Sequence, residues 1–228
     1  MAVKGRTKRT GSPKRATAAA ASGSERSVHP VRAPQPRQAR VERKTRETDI
    51  ALVLNLDGTG RSRIRTGVGF LDHMLDALAT HARFDLDLAC AGDLHIDDHH
   101  TAEDCAIVLG QAIDRSLADR SGSEPFGPAY APLDESLARA VVDLATRPHA
   151  SIDLPLRSPR LGTLASENIP HVLSTLALHG RFCLHIDLVR GTNDHHKAES
   201  AFKALALALR RAVARSPIPG SASTKGAL

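Results

Sequence analysis

The feature that most constrains this chain is an internal repeat. The stretch His73-Met74-Leu75-Asp76-Ala77-Leu78-Ala79-Thr80-His81-Ala82-Arg83-Phe84 falls over His171-Val172-Leu173-Ser174-Thr175-Leu176-Ala177-Leu178-His179-Gly180-Arg181-Phe182. Both histidine positions, two leucines, one alanine and the Arg-Phe pair coincide. After a small gap, Asp98-His99-His100-Thr101-Ala102-Glu103 falls over Asp194-His195-His196-Lys197-Ala198-Glu199. Chance rarely returns His, His, His-His and Glu twice in one order. The repeat implies a duplicated half-domain, and self-similarity of this kind decides architecture before any single element is assigned.

Hydrophobic periodicity gives both copies the same element order. Ile50, Leu52, Leu54 and Leu56 alternate as a strand does, and Asp57-Gly58-Thr59-Gly60 closes the run with turn residues. Residues 70–82 read as a helix, Phe84, Leu86 and Leu88 as a strand, and 101–117 as a longer helix burying Ile107, Val108 and Ile113. Residues 122–132 read as a turn-rich connection, and 138–152 contain a further strand. Residues 168–180, 182–188 and 195–214 then repeat helix, strand, helix. The class is α+β. The expected organisation is a disordered basic extension over 1–41, a first half-domain over 42–121, a second over 122–215, and an irregular Pro/Gly/Ser-rich tail over 216–228.

Composition narrows the function classes. Aromatic residues make up 3% of the 228 and Trp is absent, so the core must be aliphatic. The net charge is +6, but ten basic residues lie in 1–41, where Glu25 is the only acid. Any nucleic-acid signal therefore belongs to that segment, and no specific nucleic-acid partner is expected of the core. An acid-poor, Arg- and Ser-containing start also resembles an organellar transit peptide. Cytoplasm is the expected home, with a plastid as the alternative. Cys90, Cys105 and Cys183 make no disulfide framework, which fits a reducing compartment. No apolar run approaches the roughly 20 residues that span a bilayer, so no membrane partner is expected.

The repeats carry metal-ligand chemistry. His99 and Glu103, four apart on a helix, share a face, and one imidazole and one carboxylate there can grip one ion. His100 sits about 100° round the helix, so it serves a second metal or another role. His195, His196 and Glu199 repeat the geometry, and His73 and His171 lie on the preceding helices. Six His and two Glu suffice for two ions with four protein ligands each. Imidazole with carboxylate suits Mn, Fe, Co or Zn, and the lack of Cys ligands argues against a purely structural zinc. A lone His-His pair is usually a surface feature; two copies, each with a matching helical His, point to metal. His179 reads as structural, and His81 as either a helix-end residue or a neighbour of the site. Arg147, Lys203 one turn after Glu199, and Ser223-Thr224-Lys225 carry groups of the kind that hold phosphate, but taken alone they read as ordinary surface residues.

These residues resemble a known family. Gly69-Phe70-Leu71-Asp72-His73-Met74-Leu75-Asp76, Gly92-Asp93-Leu94, Asp97-Asp98-His99-His100-Thr101, Glu103-Asp104, Pro132-Leu133-Asp134-Glu135-Ser136-Leu137-Ala138-Arg139, His195-His196 with Glu199, Phe202-Lys203-Ala204 and Ser223-Thr224-Lys225-Gly226 are similar to imidazoleglycerol-phosphate dehydratases over 42–228. The resemblance implies two similar α+β halves, each a roughly four-stranded sheet backed by helices, in a 24-subunit homo-oligomer whose active sites are shared between neighbours. It implies two Mn²⁺ per site, with His73, His99, His100, Glu103, His171, His195, His196 and Glu199 as ligands. It makes Glu47, Arg147, Lys203, Ser223 and Lys225 substrate-binding residues, with Thr224 and His81 beside them. The implied activity is a carbon-oxygen lyase reaction of histidine biosynthesis, converting imidazole glycerol phosphate to imidazole acetol phosphate. The metal acts as Lewis acid and template, and Glu47 is the candidate to move the proton.

Two positions depart from the pattern. Pro125 stands where the family usually has a phosphate-holding Arg, and losing one charged hydrogen bond is worth about 1.5–3 kcal/mol; Arg120 or the tail could substitute. Ala77 stands where many members have Gln. Two further readings follow: a metal-binding assembly with a drifted phosphate pocket, and a basic tail that binds nucleic acid.

Overall fold

In a computed structural model, which describes residues 36–217, the repeat is a repeat of topology. The first half runs β1 (Gln38–Lys44), β2 (Thr48–Asn55), β3 (Ser62–Arg65), α1 (Gly69–Ala82), β4 (Asp85–Gly92) and α2 (His99–Leu117). The second runs β5 (Phe126–Leu133), β6 (Ser136–Asp143), β7 (His149–Asp153), a hairpin of β8 (Arg160–Leu161) and β9 (Leu164–Ala165), α3 (Asn168–His179), β10 (Cys183–Arg190) and α4 (Asp194–Ala212). The two four-stranded sheets have matching orders, β1-β2-β4-β3 and β5-β6-β10-β7. In each, the third strand pairs parallel with the fourth and the other pairings are antiparallel. Among the described residues the β8–β9 hairpin has no counterpart in the first half.

One face of each sheet is aliphatic. Ile50, Leu52, Leu54, Leu86 and Leu88 point inward from β2 and β4, and Ala138, Ala140, Val142, Leu184 and Ile186 do the same from β6 and β10. On this face lie the helices, which also form the seam between halves, with α2 against α3 and α1 against α4. The seam is tight at Gly110, where a Cβ would stand 2.8 Å from the Leu176 carbonyl oxygen. The repeated Arg-Phe pair ends α1 and α3 alike. Arg83 and Arg181 adopt left-handed backbone at φ 60° and 52°, and Phe84 and Phe182 drop into the core. Among the described residues no helix is long and apolar enough to cross a membrane.

The structure departs from the sequence reading in several places. The ordered chain starts earlier than 42, because β1 already includes Gln38, and Val41 is buried opposite Leu52. Arg40 and Glu42 on the outer face gave the strand the look of the basic extension. The turn-rich reading of 122–132 is overturned by β5. Gly127, Ala129 and Ala131 face inward, while Phe126, Pro128, Tyr130 and Pro132 face out. Both prolines are tolerated because β5 is an edge strand. Gly127 is needed for close approach, since a Cβ there would lie 1.9 Å from the Ala208 carbonyl oxygen of α4. Residues 138–152 hold two strands, not one, and Ile107 is only half-buried.

Candidate functional site

The seam crosses the repeats. His73 on α1 of the first half meets His195 and Glu199 on α4 of the second, and His171 on α3 meets His99 and Glu103 on α2. In each trio one donor atom per residue lies within 4.8 Å of the others. Donors about 2.1 Å from one ion stand roughly 3 Å apart when adjacent and about 4.2 Å when opposite, so both trios fit a single divalent ion. Three protein ligands leave positions open, the mark of a site that does chemistry. Within the trios, His73 Nε2 lies 3.0 Å from Glu199 Oε2, and His171 Nε2 lies 3.1 Å from Glu103 Oε1.

The helix starts that present these groups are anchored by acids just ahead of the histidines. Asp98 Oδ2 accepts from the Ala165 amide at 2.7 Å and from Asn168 Nδ2 at 3.0 Å. Burial opposes its charge, but these donors and Arg160 keep its carboxyl below the usual range. Asp194 Oδ2 accepts from the Arg157 and Ser158 amides, and its Oδ1 from the buried Lys197 at 2.7 Å. Asn193 caps α4, accepting from the His195 amide at 2.9 Å and the His196 amide at 3.3 Å. The 154–168 connection is thereby tied to the first turns of both α2 and α4.

His100 and His196 join neither trio, as their 100° offset requires. His100 places Nδ1 3.0 Å from Asp93 Oδ2 and Nε2 3.7 Å from Glu47 Oε1. His196 places Nδ1 2.7 Å from Glu135 Oε2 and Nε2 3.8 Å from Asp134 Oδ2. Asp93 and Glu135 raise the pKa of the imidazole each one holds. Glu47 stands exposed in the β1–β2 turn, and Asp134 and Glu135 in the matching β5–β6 turn. Asp93, Asp134 and Glu135 fall inside motifs visible in the sequence, yet nothing in their spacing marks a contact with histidine. Asn168 and its bond to His99 had no sequence signal, because its repeat counterpart is Phe70.

Lys203 donates to Glu199 Oε1 at 2.6 Å. Burial opposes ionisation of Glu199, but Lys203 and His73 hold its carboxyl down to about 2. His81 is a neighbour of this trio, and burial, then the Lys203 charge, lowers its pKa. Arg147 lies elsewhere in the chain. It sits exposed beside the start of β10, whereas the histidines of α4 follow the end of that strand, about 23 Å away over seven residues. Ser223, Thr224 and Lys225 lie outside the described residues. Arg120 cannot stand in for an arginine at 125. It is 1% exposed, and its guanidinium donates to the carbonyls of Leu144, Arg181 and Gly180 and to Asp114. Pro125 is itself buried.

Comparison with known proteins identifies the family of the chain. The family model described as imidazoleglycerol-phosphate dehydratase matches residues 66–209. An imidazoleglycerol-phosphate dehydratase of Cereibacter sphaeroides is 50% identical over 194 residues, covering 84% of this chain and 100% of that protein. One from Phytophthora nicotianae is 54% identical over 192 residues, again 84% of this chain but 42% of that longer protein. The crystal structure of the Staphylococcus aureus enzyme superposes with a TM-score of 0.72 at 35% identity, covering 78% of this chain and 99% of that one. The chain belongs to the imidazoleglycerol-phosphate dehydratase family.

Proposed function

We propose that this protein carries out the Mn²⁺-dependent dehydration of imidazole glycerol phosphate to imidazole acetol phosphate in histidine biosynthesis. The observation that carries this is the pair of trios, His73 with His195 and Glu199, and His99 with Glu103 and His171, each assembled from both halves. The reaction is redox-neutral. A hydrogen and a hydroxyl leave adjacent carbons as water, and the resulting enol takes up a proton on carbon to become the ketone. Bound Mn²⁺ would supply Lewis acidity and a template for the imidazole ring.

The chain's own groups supply the rest. Glu47 is the group that moves the proton in this reading, supported by its exposure and its approach to His100 at 3.7 Å. Lys203, beside Glu199 and His81, offers a fixed cation to the substrate phosphate. His81, favoured in its neutral form, can donate or accept a hydrogen bond there. His100 and His196 stand outside both trios and have their Nδ1 atoms tied to carboxylates, so each keeps Nε2 for a further ligand role. This arrangement suits ions whose remaining ligands belong to a neighbouring copy. It supports a homo-oligomer with shared active sites, for which we take the 24-subunit assembly, and it lets Arg147 reach a neighbour's site.

A second reading, a metal-binding assembly with a weakened phosphate pocket, is favoured by the buried Pro125 and the engaged Arg120. One assay separates the two. The chelator-stripped protein is given imidazole glycerol phosphate with and without Mn²⁺. Formation of imidazole acetol phosphate only with metal is the expected result. Metal uptake without turnover would establish the second reading instead, and P125R should then restore activity.

A further inference from the structure

The two trios are pseudo-equivalent in backbone, yet two substitutions across the repeat make them chemically unequal. Asn168 stands three residues ahead of His171, and its repeat counterpart, three ahead of His73, is Phe70. Each faces the first histidine of the opposite helix. Asn168 donates through Nδ2 to Asp98 at 3.0 Å, which fixes its amide and turns Oδ1 toward His99 Nδ1 at 2.9 Å. His99 must then carry its proton on Nδ1 and leave Nε2 as the lone-pair donor. Phe70 offers His195 only a ring edge, with centroids 5.1 Å apart at 82°. Among the described residues nothing accepts from His195 Nδ1, so neither its tautomer nor its ring angle is set in this way.

The second difference acts on the carboxylates. Lys203 follows Glu199 by four residues and binds Oε1 at 2.6 Å. The residue four after Glu103 is Ile107, and among the described residues that carboxylate pairs with His171 and with no ammonium. A cation bound to Glu199 competes with a metal for the same charge. The differences act in one direction.

Building on the metal reading above, we infer that the trio of His99, Glu103 and His171 is the high-affinity centre and fills first, with Asn168 as the positioning residue that makes it so. The trio of His73, His195 and Glu199 is the weaker, later-filled centre, restrained by Lys203. Hydrogen-bond partners that orient a ligating histidine are typically worth about 10–100-fold in metal affinity, so the two centres should differ by at least about tenfold.

The test is a Mn²⁺ titration of the chelator-stripped, full-length protein, read from the electron paramagnetic resonance signal of free aquo-Mn²⁺. Wild type should show two classes of site. N168A should weaken the tight class by about 10–100-fold and leave the weak class unmoved, an asymmetry that general loss of structure would not produce. K203M should tighten the weak class alone. A single class in wild type, or an N168A that shifts neither class or both equally, overturns the inference. If N168A does not assemble, K203M decides, and an unchanged weak class overturns it. Wild type that binds no Mn²⁺ at all would overturn the metal reading as well.

Discussion

Replacing Arg120 with methionine separates two roles for that side chain, a substitute phosphate ligand or an internal clamp. The guanidinium reaches three carbonyls, those of Leu144 at 2.6 Å, Arg181 at 2.7 Å and Gly180 at 2.9 Å, and pairs with Asp114. It therefore joins the end of α2 to the end of β6 and to the turn between α3 and β10. Methionine keeps most of the volume but removes every donor. The Asp114 side chain is 25% exposed and can rehydrate, whereas the carbonyls lose a charged partner inside the protein. Removing one member of a buried charged network costs about 3–5 kcal/mol. For a body of this size that corresponds to a fall in Tm of roughly 6–20 °C, at about 2–4 °C per kcal/mol. The assay is thermal unfolding of wild type and R120M at equal protomer concentration, because assembly couples stability to concentration. KM for imidazole glycerol phosphate is measured below the transition. The clamp requires a large loss of Tm with KM within about twofold. Unchanged stability with a KM raised tenfold, about 1.4 kcal/mol, would rule out the clamp and return Arg120 to the phosphate.

Three other outcomes follow from particular contacts. G127A should destabilise the protein by about 1–3 kcal/mol, the usual cost of overpacking, because the new methyl meets the Ala208 carbonyl; denaturant unfolding reads this directly. H196A should leave the chain's secondary structure intact while lowering both bound Mn²⁺ and the assembled fraction, measured by metal analysis and size-exclusion light scattering. Asp57 pairs with Arg37 and Arg215, and Arg37 above all holds its carboxyl below the usual range. A depressed folded pKa contributes stability that is complete above the unfolded value near 3.9 and lost as pH falls through the folded value. D57N should therefore flatten the acid limb of a stability-versus-pH curve below about pH 4.

The sequence carried the architecture wherever one face is wholly aliphatic. Ile50, Leu52 and Leu54 announce β2, and the paired His and Arg-Phe positions announce α1 and α3 with the sharp turn after each. It failed where other chemistry covers the pattern. In β5, Gly127, Pro128 and Pro132 read as turn residues, because burial on one face is achieved by glycine and alanine under α4. In β1, alternating charges resemble the basic segment ahead of it. For the site, the i, i+4 spacing brought His99 to Glu103 and His195 to Glu199. Pairing across the seam, which joins each trio to a histidine of the other half, is a tertiary fact that spacing does not contain. The same holds for Asn168 on His99 and for Asp93 and Glu135 on the second histidines.

We propose that the duplicated fold builds two metal centres across its seam. The most direct measurement is a crystal structure of the Mn²⁺-loaded protein with data collected on the manganese absorption edge. Two anomalous peaks per chain are expected, one among His99, Glu103 and His171 and one among His73, His195 and Glu199. Peaks elsewhere, or none at these six residues in an enzyme that turns over, would contradict it.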